Sequence, residues 1–411
     1  MKHLIFILFL NIIFSQTSSL SLYGFGEAIT SFDAGGTSLG GSRLFSNNNI
    51  VLSSPSTYHN NQQASLAMTM SFNGLSTKYI NELSSNNFNH VSFGFPITDN
   101  QYFMLGMKPV LRSIIHMNES EYTFLGADVS HIDTDGDGIS DPVKYKSSYD
   151  FSGGISEFSA SISSKITDKV SLGFKVGKLF GTFIRKDTLN FYTVDFDIDG
   201  EEIGSTWFGG EPRQNKFNYS SYAYSIDGRF KFSSNNILAF YYGESDQLKV
   251  DTNYDNFDSV EYLINGYNEY GLGLKSYIYD SFGYIIEFQN YNTFDCSNIV
   301  DIFNKPSLDI QSTHYGIFYK NNEIKRTNIN SIDYNLGFYN RTYSPNDYSS
   351  SLNDIGFTMG IGLEYLSKDS FNVSMQFGKR FSEFDEFSNE KYYKLTFSII
   401  SNNDWFVKER E

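Results

Sequence analysis

The stretch Asp133-Thr134-Asp135-Gly136-Asp137-Gly138-Ile139-Ser140-Asp141 carries the most pointed chemistry in the sequence. Carboxylates at loop positions 1, 3, 5 and 9, with glycine at position 6, are the spacing that wraps oxygen ligands around Ca²⁺. Position 12, where an EF-hand needs glutamate, is Lys144. The match is therefore to the looser calcium repeats of extracellular proteins. Asp133, Asp135, Asp137 and Asp141 are the candidate ligands of a weak site that would stiffen the surrounding loop. The competing reading is an acidic, solvated loop. Asp195-Phe196-Asp197-Ile198-Asp199-Gly200 repeats the start of the pattern, but no ninth-position carboxylate follows.

Catalytic readings are weaker. His90 and Ser92 share one face of a strand, as a nucleophile and its base would. Val91, Phe93 and Phe95 take the apolar face, so the pair points away from lipid, where a phospholipase would need it. The mixed-sign set Asp227, Arg229, Lys231, Glu269, Lys275, Glu287, Asp333 and Glu364 reads as a polar interior network rather than acid/base machinery. Cys296, in an expected outer loop, reads as an inert thiol. The sequence has no phosphate-binding glycine loop, serine elbow or zinc helix. No enzymatic activity and no required cofactor are expected.

The elements that hold these residues follow from composition and period. The 411-residue chain is 17% aromatic and 19% charged, with 33 Gly and 7 Pro, a mix that suits strands. Its 31 Lys+Arg against 47 Asp+Glu give a net −16, the wrong sign for binding nucleic-acid phosphate. A single cysteine excludes a disulfide framework. Met1-Lys2-His3, the apolar run Leu4–Phe14 and small polar residues to Ser19 have the layout of a secretory signal peptide over 1–19. The run is too short to span a bilayer.

From residue 64 onward apolar and polar residues alternate with period two. Phe371, Val373, Met375 and Phe377 oppose Asn372, Ser374, Gln376 and Gly378, and Leu66, Met68, Met70 and Phe72 oppose Ala67, Thr69, Ser71 and Asn73. Such spacing puts the large apolar side chains on one sheet face. Fourteen strands are expected, near 64–74, 88–96, 101–112, 150–164, 169–181, 217–232, 236–249, 262–279, 282–293, 311–321, 330–342, 352–366, 370–380 and 390–401, with 12 and 16 as alternatives. Tight turns such as Thr98-Asp99-Asn100 and Lys368-Asp369 alternate with longer connections over 113–149, 182–216, 294–310 and 343–351. This short/long alternation marks a transmembrane β-barrel of the bacterial outer membrane. The expected layout is a 1–19 signal peptide, a 20–62 plug or periplasmic segment, a 63–401 barrel and a 402–411 periplasmic tail. Fourteen strands enclose more lumen than wall side chains fill, which favours a plug.

Tyr23-Gly24-Phe25-Gly26-Glu27, Gly35-Gly36, Ser38-Leu39-Gly40-Gly41 and Ser54-Pro55-Ser56-Thr57-Tyr58 resemble the amino-terminal region of the long-chain fatty acid outer-membrane transporter family (FadL/TodX type), in its Bacteroidetes-like branch. Tyr392-Tyr393-Lys394-Leu395-Thr396-Phe397 and Trp405-Phe406-Val407-Lys408 are similar to that branch's closing strand and tail. Gly40-Gly41 lacks the methionine usual before it, and Ser54 stands where asparagine is usual. The resemblance implies a 14-stranded barrel whose N-terminal hatch carries Gly24, Gly26, Gly35, Gly36, Gly40, Gly41 and Pro55. It also implies passive import of hydrophobic, fatty-acid-like small molecules, partly through a side opening to outer-membrane lipid. Loop aromatics Phe180, Phe183, Trp207 and Phe208, or Tyr254 and Phe257, are candidates to meet such a solute. Some relatives of this architecture serve protein secretion, so a barrel that partners a secretion or assembly system through its loops is the alternative. A general diffusion porin is the third reading.

Overall fold

The computed structural model describes residues 20, 26–30, 32–46, 50–76, 83–118, 122–125, 133, 138, 141–196, 202–254, 257–295, 308–322, 328–345, 351–382 and 389–404. The expected leader, Gly24, Asp135, Asp137, Cys296, most of the Asp195–Gly200 repeat and the 405–411 tail lie outside them.

The chain runs β1 (Glu27–Ala28), one helical turn α1 (Ala34–Ser38) and a 3₁₀ turn (Pro55–Asn60), then β2 (Ala64–Ser76), β3 (Leu83–Thr98), β4 (Gln101–Asn118) and β5 (Thr123–Leu125). It continues through β6 (Val143–Lys165), β7 (Val170–Phe196), β8 (Glu202–Lys231), β9 (Asn236–Ser245), β10 (Leu248–Tyr254), β11 (Phe257–Ile264), β12 (Asn268–Tyr279) and β13 (Phe282–Asn292). The last strands are β14 (Leu308–Asn321), β15 (Ile329–Pro345), β16 (Leu352–Tyr365), β17 (Ser370–Phe381) and β18 (Glu390–Asn403).

All pairings are antiparallel, and β18 returns to β2 from Lys391↔Ser76 to Asn403↔Ala64, closing the sheet. β1 and β5 are short additions on β4 and β6. β9 and β10 are one strand interrupted at Asp246–Gln247, where the Ser221 hydroxyl donates to both carbonyls at 2.9 and 3.0 Å. β11 and β12 are likewise interrupted at 265–267, so fourteen strands form the wall. Closure pairs the wall strands all round except at one seam between β3 and β4, as a bilayer requires because it offers backbone groups no hydrogen-bond partner.

The period-two pattern places its residues as expected. On β16 and β17, Phe357 and Phe377 stack outward at 5.4 Å, while Thr358, Ser374 and Gln376 are buried inside. His90 and Ser92 also face inward and are buried. The apolar outer band is lipid surface; on a water-soluble chain it would be an aggregation hazard.

Two departures from the expected strands matter. The span 182–216 is largely not loop: β7 has 27 residues and β8 has 30, paired from Val170↔Phe230 to Phe196↔Glu202. At ~3.3 Å per residue the hairpin is ~90 Å long, against the 9–11 residues that cross a membrane. Its upper half escaped sequence reading because Lys186, Thr188, Asn190 and Gln214 break the apolar alternation once the strands leave lipid. β4 and β6 run likewise into the expected 113–149 loop. Phe180, Phe183, Trp207 and Phe208 are therefore strand residues. Phe183 is buried inward, whereas Trp207 is 59% exposed near the tip. Tyr254 and Phe257 close the β10–β11 hairpin.

The second departure is a parting of the wall. β3 pairs with β4 only from Val91↔Met107 down to the turn. Above it, a bulge at Asn89 bends β3 towards β2, and β4 follows β6. β1 fills part of the seam by pairing Glu27↔Arg112 and Ala28↔Leu111. A bulge at Val110 frees its carbonyl to accept from the Ile29 N–H at 3.0 Å. Arg112 bridges the rest: its guanidinium donates to Asn87 Oδ1 at 2.6 Å and to the Phe88 carbonyl.

Candidate functional site

The described residues from Gly26 to Asn61 lie inside the barrel, and wall carboxylates receive many of their unpaired N–H groups. α1 is too short to satisfy its own ends. Asp33 caps it, accepting from Gly36 N–H at 2.6 Å, and Ser398 Oγ accepts from Ala34 N–H at 2.8 Å. After the helix the chain reverses at Gly40 (φ +77°) and Gly41 (φ +85°), a conformation that residues with a Cβ adopt only at a cost. A Cβ on Gly40 would stand 2.6 Å from the Phe338 carbonyl oxygen. Gly316, Gly337 and Gly360 face this turn from β14, β15 and β16, leaving room for Leu39, Gly40 and Ser38 respectively.

Thr358 and His314 hold the turn. Thr358 Oγ1 accepts from Gly40 N–H and donates to the Ser38 carbonyl, both at 2.9 Å. His314 Nδ1 donates to the Gly40 carbonyl at 2.5 Å, with the Ser312 hydroxyl 2.8 Å from Nε2. Two buried carboxylates do most of the remaining fastening. Glu287 accepts from the Ser42 hydroxyl (2.5 Å), Arg43 N–H (3.0 Å), Leu44 N–H (3.2 Å) and Gln289 Nε2 (2.8 Å). Asp227 accepts from the Ser54 hydroxyl (2.6 Å), Ser56 N–H (3.0 Å) and the Ser56 hydroxyl (2.5 Å). Pro55 opens the 3₁₀ turn beside them.

Arg43 makes a bidentate pair with Glu269, with Nη2 at 2.6 Å, and its guanidinium lies 4.2 Å over the Tyr241 ring. Such a pair adds little net stability, because both charges are desolvated, but it fixes one position of the plug. Apolar contacts complete the seat. Leu39, Leu44 and Phe45 pack on Ala239, Tyr241, Ile285 and Phe318, and Ile50, Leu52 and Tyr58 pack on Ala67, Tyr102, Met104 and Ile400. Higher in the lumen Leu20 joins an apolar cluster with Leu179, Phe183, Phe217, Tyr267 and Phe294.

Burial pushes the Asp33 carboxyl up to about 6 from 3.8, against the hydrogen bonds that favour its charge. A carboxyl raised in the folded state contributes stability that is complete below the unfolded value and lost as pH rises through the folded one. Asp33→Asn, which keeps the capping oxygen, should therefore leave plug docking unchanged at pH 4 and strengthen it at pH 7.5, by up to about 3 kcal/mol. Hydrogen exchange of the Gly36–Gly41 amides at both pH values reads this directly.

The charges read from sequence as one polar network thus divide. Asp227, Arg229, Glu269, Lys275 and Glu287 contact the plug, the Lys275 amine donating to the Ser46 carbonyl at 3.2 Å and Arg229 to that of Leu44. Glu364 instead pairs with Lys320 at 2.9 Å, and Lys231 is exposed. Gly26, Gly35, Gly36, Gly40, Gly41 and Pro55 all lie in the inserted segment. Of the candidate calcium ligands, Asp133 and Asp141 are described; Asp133 Oδ2 accepts from Gly138 N–H at 2.8 Å, and Gly138 has φ +84°. Among the described residues no three His, Cys, Asp or Glu gather in a metal-binding group. Thr358 and His314 were not singled out in the sequence. Each is a lone polar residue in an alternating strand, indistinguishable there from any lumen residue.

This architecture defines the class: a closed, 14-stranded bacterial outer-membrane barrel of the FadL/TodX type. The toluene transporter TodX of P. putida (10% identity; 92% of this chain and 99% of that chain covered; TM-score 0.50) shares the fold. So do a FadL homologue of Pseudomonas aeruginosa (11%; 92% and 99%; 0.52) and the monoaromatic hydrocarbon channel CymD (8%; 95% and 100%; 0.51). These neighbours are channels and transporters, not enzymes, and such identities speak for the fold alone. No curated protein matches the sequence. The sequence matches the BamG family over residues 1–410, and the chain belongs to that family.

Proposed function

We propose that this barrel works as a partner in an outer-membrane assembly system of the kind the name Bam denotes, rather than as a conduit for small molecules. The observation that carries the reading is the filled lumen, together with the polarity of the wall seam. The plug is fastened by two many-donor carboxylates and a buried ion pair. The spaces between it and the wall beside Lys108 are about 20 Å³ each, room for one water. At the seam between β3 and β4, where an apolar solute would leave for lipid, the strands present Ser85, Asn87, Asn89 and Arg112, beside Ala28, Ile29 and Leu75 of the plug segment and β2. Hydrocarbon passing there would desolvate the Arg112 guanidinium and the asparagine amides, which costs free energy. The β7–β8 hairpin, far longer than a membrane span, offers a partner an exposed surface outside the membrane.

The reading that the sequence favoured, passive import of hydrophobic small molecules, keeps one supporting observation: the apolar cluster around Leu20, Phe183 and Phe217 in the outer half of the lumen. One experiment separates the two. The full chain is purified from outer membranes in mild detergent, its associated proteins are identified, and a solvent extract is examined by mass spectrometry. Stoichiometric association with another outer-membrane assembly component is expected. A chain that elutes alone with stoichiometric hydrocarbon or fatty acid would overturn the proposal in favour of import.

For the Asp133–Asp141 loop we propose weak Ca²⁺ binding, supported by the left-handed Gly138 at position 6 and its contact with Asp133, the sharp turn such loops need. Terbium luminescence should saturate at the millimolar affinities of extracellular modules, and Asp133→Asn should abolish it.

A further inference from the structure

We propose that the cavity at the β3–β4 seam is an oxyanion site, built for a carboxylate or phosphate and centred on Arg112 and Lys394. The cavity encloses about 80 Å³ between the Glu27–Thr30 segment and strands β2, β3, β4, β15, β17 and β18. It lies in the half of the barrel that carries the long connections.

Its charge is unbalanced in a specific way. Four cations reach it: Arg112, Arg341, Arg380 and Lys394. Nearby carboxylates are engaged by two of them. Arg380 holds Glu27 at 2.7 Å and Glu390 at 3.0 Å, and Asp354 stands 3.7 Å from Arg341 and 3.6 Å from Arg380. Among the described residues Arg112 donates to neutral oxygens alone, those of Asn87 and Phe88. Lys394 faces Arg341, Arg112 and Arg380 with Glu27 as its one opposing charge, and it has no hydrogen bond or ion pair among the described residues. Among the described residues lining the cavity, the buried polar atoms without a hydrogen bond are three donors, Asn89 Nδ2, Arg341 Nε and Arg380 Nε, against one acceptor, Asn73 Oδ1. Asn89 is 1% exposed; its Oδ1 accepts from Ser71 at 3.2 Å while its Nδ2 has no partner.

A surplus of N–H donors and positive charge around an enclosed space is satisfied by an acceptor that carries negative charge. Planar guanidinium and amide donors suit the paired oxygens of a carboxylate or phosphate. Chloride would use the charge but leave the fork geometry idle. Because the cavity sits where the wall parts, the same group could arrive as a free anion from the mouth or as a lipid headgroup from the seam.

The test uses the full chain in phosphate-free detergent, titrated calorimetrically with inorganic phosphate and, separately, with dihexanoyl phosphatidic acid. Saturable binding is expected, weakened at least tenfold by Lys394→Met and retained by Lys394→Arg. Heat-modifiable gel mobility verifies that each variant is a folded barrel, and Lys394→Gln replaces the methionine variant should that one not fold. Phosphatidic acid binding at least tenfold tighter than phosphate identifies the lipid headgroup as the source, and equal affinities identify the free anion. Absence of saturable binding by both probes, or binding indifferent to Lys394, would overturn the site. Neither outcome depends on whether the barrel has an assembly partner.

Discussion

Glu287→Ala should unseat the plug. The substitution leaves the Ser42 hydroxyl, the Arg43 and Leu44 N–H groups and the Gln289 amide without the acceptor they share. Each buried donor so orphaned costs about 1–3 kcal/mol, so at least ~4 kcal/mol in sum is expected. Glu269→Ala should act in the same direction by about 3–5 kcal/mol, because it strands the Arg43 guanidinium in a buried place. Glu364→Ala, which loses a partner at the barrel rim rather than at the plug, should do neither. In planar bilayers the wild-type barrel should be electrically quiet, whereas the Glu287 variant should open to a conductance of porin size. Quiet bilayers for both variants would mean that the plug stays through its apolar contacts alone. Glu287→Gln should fall between, since it keeps one oxygen acceptor but loses the charge.

The second large effect belongs to the outer hairpin. Trp207 is 59% exposed, far above the lipid band. Across the strand it pairs with Tyr192, which meets Tyr122 at 5.2 Å with its ring edge-on. Beyond Asn215, β8 pairs only with β7, so the tip is not needed to close the barrel. Exposed tryptophans that become buried at an interface commonly contribute 2 kcal/mol or more. Under the proposed assembly role, Trp207→Ala should thus weaken association with that partner about 30-fold, without changing heat-modifiable folding. Dissociation rates of the purified complex measure it. An unchanged rate would move the contact away from the hairpin face.

How far the sequence could be read follows from what period two encodes. Outward Phe357, Met359 and Ile361 against inward Thr358 and Gly360 specify strand, face and barrel by alternation alone, and the short/long connections supply the strand count. The plug was legible as a segment that fails to alternate, with glycines where the chain must turn at Gly40 and Gly41. Its seat was not. Glu287 and Asp227 look in sequence like any other lumen charge, because what distinguishes them is contact with plug residues 171 to 245 positions away. The seam between β3 and β4 was hidden for a related reason: the bulges at Asn89 and Val110 shift register by one residue, which alternation alone does not reveal. The upper hairpin was missed because an exposed sheet above the membrane needs no apolar face.

The proposed assembly role rests on a lumen occupied by the described part of the plug and on a β7–β8 hairpin that extends beyond the membrane. Depleting the chain from living cells and quantifying the folded, heat-modifiable fraction of other outer-membrane barrels tests that claim most directly. This fraction should fall while uptake of labelled toluene and long-chain fatty acid stays unchanged. Normal folding of the other barrels with lost uptake would contradict it.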